Sequence, residues 1–79
     1  MATMIHGPEI KKLREAGGIT REELRRAAEC SYAHLRFCER GERAMSDELY
    51  HRLHMALREL IQERSAAFEL ASKETAEGV

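Results

Sequence analysis

Two helix-start signals lie eleven residues apart in the stretch between positions 19 and 43. Thr20 and Glu23 form the pattern of a capping box, in which the hydroxyl accepts from the third backbone N–H and the glutamate reaches back. Ser31 is a second N-cap candidate, because it directly precedes a run of eight residues with apolar positions on one side. The chain between the two caps has room for one helix and a tight turn. This stretch therefore predicts two short helices that pack tightly against each other.

Further start and stop signals predict helices along most of the chain. Pro8 suits the first position of a helix, and Gly17 and Gly18 supply the left-handed stop that ends it. Ser46, with acidic residues directly after it, is a typical start for another helix. We therefore expect helices over Pro8–Ala16, Arg21–Ala28, Tyr32–Arg40 and from Asp47 to about Ser72.

The composition predicts an all-α fold. With 79 residues the chain makes one domain, near the lower limit at which a single core is self-sufficient. Residues with β-branched side chains are few, while Ala, Leu, Glu and Arg dominate, which favours helices. We expect a compact domain of four to five helices with a long C-terminal helix. The expected organisation is a flexible N-terminal arm over 1–6, a folded domain over 7–62, a helical extension over 63–73 and a disordered tail over 74–79.

The last predicted helix has more apolar positions than one core-facing stripe requires. Leu57, Ile61 and Phe68 extend its stripe or form a second one, and Leu70 adds to the surplus. We expect Leu57, Ile61 and Phe68 to form a surface through which two copies make a homodimer. The alternatives are a break followed by a fifth helix, or simple capping of the core.

Several classes of protein are disfavoured. No apolar run approaches about 18 residues and the start lacks the apolar core of a signal peptide, so we expect a cytoplasmic protein without membrane contact. Cys30 and Cys38 lie about 12 Å apart by helical rise, too far for a disulfide, and with His34 they cannot converge on one metal ion. We expect both thiols to act as small core hydrophobes. No enzymatic activity, metal, cofactor or small-molecule ligand is expected.

Residues 13–57 read LREAGGITREELRRAAECSYAHLRFCERGERAMSDELYHRLHMAL. This segment resembles the Cro and phage-repressor type of helix-turn-helix family, also called the xenobiotic-response-element type, and the resemblance extends over Ile10–Leu60. The combination of REAGGIT, REEL and ERGER at the correct spacing is specific. The resemblance implies that residues 7–62 form a helix-turn-helix DNA-binding domain whose helix over 32–40 lies in the major groove.

The resemblance also implies roles for individual residues. Arg14 and Glu39 occupy the positions of an ion pair that ties the first helix to the end of the third. The positions implied to read bases are Tyr32, Ala33, Arg36 and Phe37. The positions implied to contact DNA phosphates are Arg21, Ser31, Arg40 and Arg43. An arginine such as Arg36 suits guanine, whereas an apolar side chain suits the thymine methyl group.

Three residues depart from the family pattern. Arg25 replaces a small residue where two helices approach most closely, so its side chain is expected either to turn outward or to open the angle between the helices. Glu29 replaces a turn glycine, and a left-handed backbone there costs about 1 kcal/mol for another residue. Met45 replaces the usual proline. His34 lies at a family position that is usually half-buried, so we expect it to pack rather than to contact DNA.

The charge distribution is asymmetric. The formal net charge is −1, with +2 over residues 1–43 and −3 over residues 44–79. The basic face expected from this asymmetry attracts DNA electrostatically. Its residues are Lys11, Lys12, Arg21, Arg25, Arg36, Arg40 and Arg43. The alternative is an ordinary solvated surface.

These features predict a small sequence-specific transcriptional regulator. We expect a dimeric repressor that occupies a pseudo-palindromic operator in double-stranded DNA and so blocks a promoter. The alternative is a protein-interaction module, of the antitoxin or anti-regulator kind, that uses the apolar face of the helix over 32–40. Only the first function needs Arg21, Arg36 and Arg43 together.

Overall fold

The computed structural model describes the backbone of residues 6–77 and the side chains of residues 6–74. This part of the chain contains four α-helices and no strand, which confirms the all-α prediction. The helices are α1 (His6–Ala16), α2 (Arg21–Ala28), α3 (Tyr32–Glu39) and α4 (Asp47–Glu77). None of them is long and apolar enough to cross a membrane.

Side-chain caps fix where the helices begin. The Thr20 hydroxyl accepts a hydrogen bond from the Glu23 backbone N–H at 3.1 Å, and the Glu23 carboxylate accepts from the Thr20 N–H at 2.9 Å. This is the predicted capping box at the start of α2. The hydroxyls of Ser31 and Ser46 cap α3 and α4 in the same way, accepting from the backbone three residues ahead.

The turn between α2 and α3 has the expected left-handed residue. Glu29 has φ 54° and ψ 52°, a conformation that costs a residue other than glycine about 1–2 kcal/mol. The guanidinium of Arg52 on α4 donates to the carbonyl oxygens of Ala28 and Glu29. These bonds provide donors for carbonyl oxygens at the end of α2, and they hold the turn against α4.

A single apolar core lies between the helices, with α1 and α2 each packed against both α3 and α4. Leu57, which we expected at a dimer surface, is 3% exposed and belongs to this core. It lies where α4 crosses α1, and the small exposed part of its side chain faces a groove between these two helices. The core residues are Ile10, Ile19, Leu24, Ala28, Leu35, Cys38, Met45, Leu49, Leu53, Ala56 and Leu57.

The first helix begins two residues earlier than predicted. The His6 ring stacks on Tyr50 with the centroids 4.3 Å apart, and its Nε2 lies 2.9 Å from a carboxylate oxygen of Asp47. These contacts join the start of α1 to the start of α4. The rest of the expected N-terminal arm, residues 1–5, lies outside the described residues. Helix α3 ends at Glu39, one residue earlier than predicted.

Helix α4 is continuous over 31 residues, so the alternative with a fifth helix is wrong. Its length is about 46 Å, and the molecule measures 54 Å along its longest axis but only 19 and 18 Å across. All described side chains over 61–74 are exposed. Ile61 still lies against Gly17, and Arg64 donates to the carbonyl oxygen of Gly18 at 2.6 Å, so α4 extends past the core only beyond these residues. Residues 74–77 of the expected disordered tail are helical, and residues 78–79 lie outside the described residues.

Candidate nucleic-acid interface

Helix α3 presents one face to solvent and buries the other. The exposed positions include the four that were predicted to read bases and two predicted to contact phosphates. Leu35, Cys38 and Glu39 are buried on the opposite face, and His34 is half-buried between the two. The exposed residues are Ser31, Tyr32, Ala33, Arg36, Phe37 and Arg40.

A buried carboxylate anchors the end of α3. Glu39 is 3% exposed and accepts from the Nε and Nη2 of Arg14 at 2.8 and 3.0 Å. The same arginine donates to the carbonyl oxygen of Ile19 at 2.9 Å. Since these bonds join α1, the turn after it and α3, they fix the position of α3 on the domain.

Glu39 also accepts from Arg21, an ion pair that the sequence pattern did not predict. Its Oε1 lies 3.0 Å from the Arg21 Nε, so the carboxylate joins two arginines. Arg21 Nη1 donates to the Tyr32 hydroxyl at 3.2 Å, and its guanidinium lies 5.7 Å from the Tyr32 ring centroid. The bond to Tyr32, together with Glu39, raises the pKa of the Arg21 guanidinium. Arg21 is thus largely committed to holding Tyr32 in place.

The Arg21 bond also sets what the Tyr32 hydroxyl can do. A phenolic hydroxyl has one proton to donate and accepts through its lone pairs. Because it accepts from Arg21, its own proton is free to donate to an acceptor outside the protein. Tyr32 is exposed, so such an acceptor can approach it.

Two arginines on this side of the molecule carry uncompensated charge. Neither Arg36 nor Arg43 has an acidic partner among the described residues. The Arg43 guanidinium lies 5.3 Å from the Phe37 ring centroid, a cation–π contact that holds it beside α3. Arg40, in contrast, pairs with Glu42 at 2.9 Å, which partly neutralises its charge.

Arg25 and Arg26 of α2 pair with a carboxylate of the same helix. Arg25 is half-buried and donates to Glu22 at 3.0 and 2.6 Å. Arg26 donates to the same carboxylate at 3.0 Å. Bonds from Arg25 and then Arg26 lower the pKa of the Glu22 carboxyl. The basic face is therefore smaller than residue types alone indicate. Its predicted members without an acidic partner among the described residues are Lys11, Lys12, Arg36 and Arg43.

The cysteines and histidines do not form a metal centre within the described part of the chain. Cys38 is completely buried, and its Sγ lies 3.6 Å from the half-buried His34 ring. Cys30 is half-buried and packs against the core. Burial raises the pKa of both thiols, which keeps them protonated and unreactive.

Function must be inferred from these residues and their geometry. No family model, curated protein or solved structure matched this chain.

Proposed function

We propose that this protein is a dimeric helix-turn-helix regulator of the phage-repressor type that binds a specific DNA sequence. In this proposal α2 and α3 form the motif and α3 lies in the major groove. The observation that supports it most is the solvent face of α3, where Arg36 is unpaired and Arg43 is held beside Phe37. A surface of this shape and charge is suited to a duplex groove.

The side chains of α3 would read bases in complementary ways. Arg36 has a free guanidinium, which can donate two hydrogen bonds to O6 and N7 of guanine. Ala33 and Phe37 offer apolar contact to a thymine methyl group. Tyr32, whose hydroxyl accepts from Arg21, would donate its proton to a phosphate or base acceptor.

Contacts to the DNA backbone would come from residues that flank α3. Arg43 is unpaired and exposed, so it is the strongest candidate for a phosphate contact. Ser31 can donate its hydroxyl proton while it accepts from the His34 N–H. Arg40 and Arg21 would contribute less than their residue type suggests, because Glu42 and Glu39 already bind them.

Regulation would follow from occupancy. A dimer places two copies of α3 against two half-sites about 34 Å apart, related by a two-fold axis. An operator of that kind is pseudo-palindromic. A dimer bound across a promoter blocks transcription by excluding polymerase, which needs no further domain.

A second candidate function is a protein-interaction module that uses the same helix. The internal pairing of Arg25 and Arg40 favours it, because it leaves few free cations on this face. Tyr32, Ala33 and Phe37 would then contact a protein rather than bases. The two functions differ in whether Arg36 and Arg43 are needed.

The DNA-binding proposal predicts separate effects of these two arginines on binding to short duplexes. Arg36→Ala should weaken binding to a preferred sequence by about 1–3 kcal/mol and change other sequences less. Arg43→Ala should weaken binding to all duplexes alike, and the slope of log affinity against log salt should fall by about 0.9 for each phosphate that the variant no longer neutralises. Fluorescence anisotropy at several salt concentrations measures both effects.

Lys73→Ala provides the matched control, since Lys73 is an exposed cation on the extended part of α4. Its removal should leave affinity and salt slope nearly unchanged. If all three variants lose affinity equally, the attraction is general charge and α3 is not the binding element. If none of them changes binding, α3 does not contact the DNA and the proposal is contradicted.

A further inference from the structure

An open apolar groove of about 290 Å³ lies between the C-terminal half of α1 and α4. Leu13 on α1 and Leu57 and Ile61 on α4 line it, and Arg58 lies at its rim. Gly17 forms part of its wall, where a Cβ would lie 2.6 Å from Cδ1 of Ile61. Leu13 and Ile61 are each 37% exposed, so the groove presents apolar surface to solvent.

The apolar surface continues along α4 to Phe68. Phe68 follows Ile61 by seven residues, which places the two side chains within about 20° of each other around the helix. It is 72% exposed and lies on the part of α4 that extends past the core. Each molecule therefore carries an apolar groove and, about 10 Å further along the same helix face, a projecting aromatic ring.

We propose that the groove binds Phe68 of a second copy of this chain, in an antiparallel pairing of the two α4 helices. A two-fold axis that passes between Arg64 and Ser65, perpendicular to α4, places Phe68 of each copy opposite Ile61 of the other. It also places Ser72 opposite Leu57. Both grooves are then filled by one two-fold operation, as a closed dimer requires. The two buried rings together contribute about 300–500 Å² of the interface.

The direction of pairing follows from the spacing. In a parallel pair, Phe68 would face Phe68 and both grooves would stay empty. The antiparallel pair also brings Arg58, which has no acidic partner among the described residues, close to Glu69 of the other copy. This pairing specifies how the dimer proposed above would form. It rests on that proposed function, because the dimer is the reason for taking a second copy as the occupant of the groove.

Replacing the ring tests the pairing. Phe68→Ala should raise the dimer dissociation constant by about tenfold or more, since it removes a central aromatic anchor. Leu70→Ala is the matched control, because Leu70 is 60% exposed but lies on the opposite side of α4. It should change the constant by less than about threefold, because its side chain lies outside the pairing. Sedimentation equilibrium measures both values, and equal effects or a monomeric wild type would overturn the pairing.

Cross-linking tests the direction. In a Cys30→Ser background, where the remaining Cys38 is fully buried, Ser65→Cys and Ser72→Cys place a thiol on the same helix face. In the antiparallel pair, two Ser65→Cys sites lie about 8–10 Å apart, within reach of a short bis-maleimide. Two Ser72→Cys sites lie about 22 Å apart along the axis and should not react together. Cross-linking at both sites would show a parallel pair and overturn the proposal.

These results separate the pairing from the proposed function. A dimer that binds DNA but cross-links at both sites keeps the regulator and overturns the antiparallel pairing. A dimer that cross-links only through Ser65→Cys but binds no DNA supports the antiparallel pairing and contradicts the proposed function.

Discussion

Replacing Glu39 by alanine is expected to lower the free energy of unfolding by about 3–5 kcal/mol. The substitution leaves Arg14, which is 7% exposed, without its carboxylate partner. Desolvation of an unpaired buried cation is expensive, and Arg14 has only the Ile19 carbonyl oxygen as a remaining acceptor. Arg21 loses the same partner, so Tyr32 also loses its support. Urea unfolding followed by circular dichroism measures the change.

Glu22 offers a matched control for Glu39. Its carboxylate also accepts from two arginines, Arg25 and Arg26, but its side chain is 46% exposed. Glu22→Ala should therefore destabilise the protein far less than Glu39→Ala, because surface ion pairs contribute little. Similar losses for Glu22→Ala and Glu39→Ala would mean that burial of the Arg14 pair does not stabilise the fold in the way described.

Replacing Gly7 by alanine is expected to lower the free energy of unfolding by about 2–3 kcal/mol. A Cβ at this position would lie 1.7 Å from the carbonyl oxygen of Cys38, a backbone atom that no rotamer change can move. Helix α1 must then shift off α3, or its first turn must unwind and separate His6 from Tyr50 and Asp47. Thermal unfolding gives the loss of stability, and the Tyr50 NMR signals report whether the stack remains.

Gly18 is the comparison for this substitution. A Cβ there would meet nothing within 4 Å, and only its φ of 68° disfavours a side chain. Gly18→Ala should cost about 1–2 kcal/mol through the backbone alone. If Gly7→Ala were neutral while Gly18→Ala cost this amount, close approach of α1 to α3 would be contradicted.

Local signals made much of the fold predictable. Capping residues such as Thr20 and Ser31 act on their own backbone within three residues, so their pattern located the starts of α2 and α3. The left-handed turn at Glu29 was expected from the resemblance and has the same local origin. The exposed face of α3 follows from helical period once its start is known.

Features that depend on the partner of a side chain were less predictable. Leu57 was counted among the surplus apolar residues, because the apolar stripe of α4 does not indicate where this helix leaves the core. Arg25 and Arg40 each pair with a carboxylate within four residues in the sequence. A count of basic residues overlooks this local pairing. The Arg21–Glu39 bond joins elements eighteen residues apart, and only the assembled fold brings them together.

Selection from a library of random duplexes tests the proposed function most directly. The wild-type protein is incubated with the library at low salt, and bound duplexes are amplified and sequenced over several rounds. We predict enrichment of two half-sites related by two-fold symmetry and spaced by about one helical turn, with a guanine preference that Arg36→Ala removes. If the folded protein enriches no sequence, α3 does not read DNA and the proposed function is contradicted.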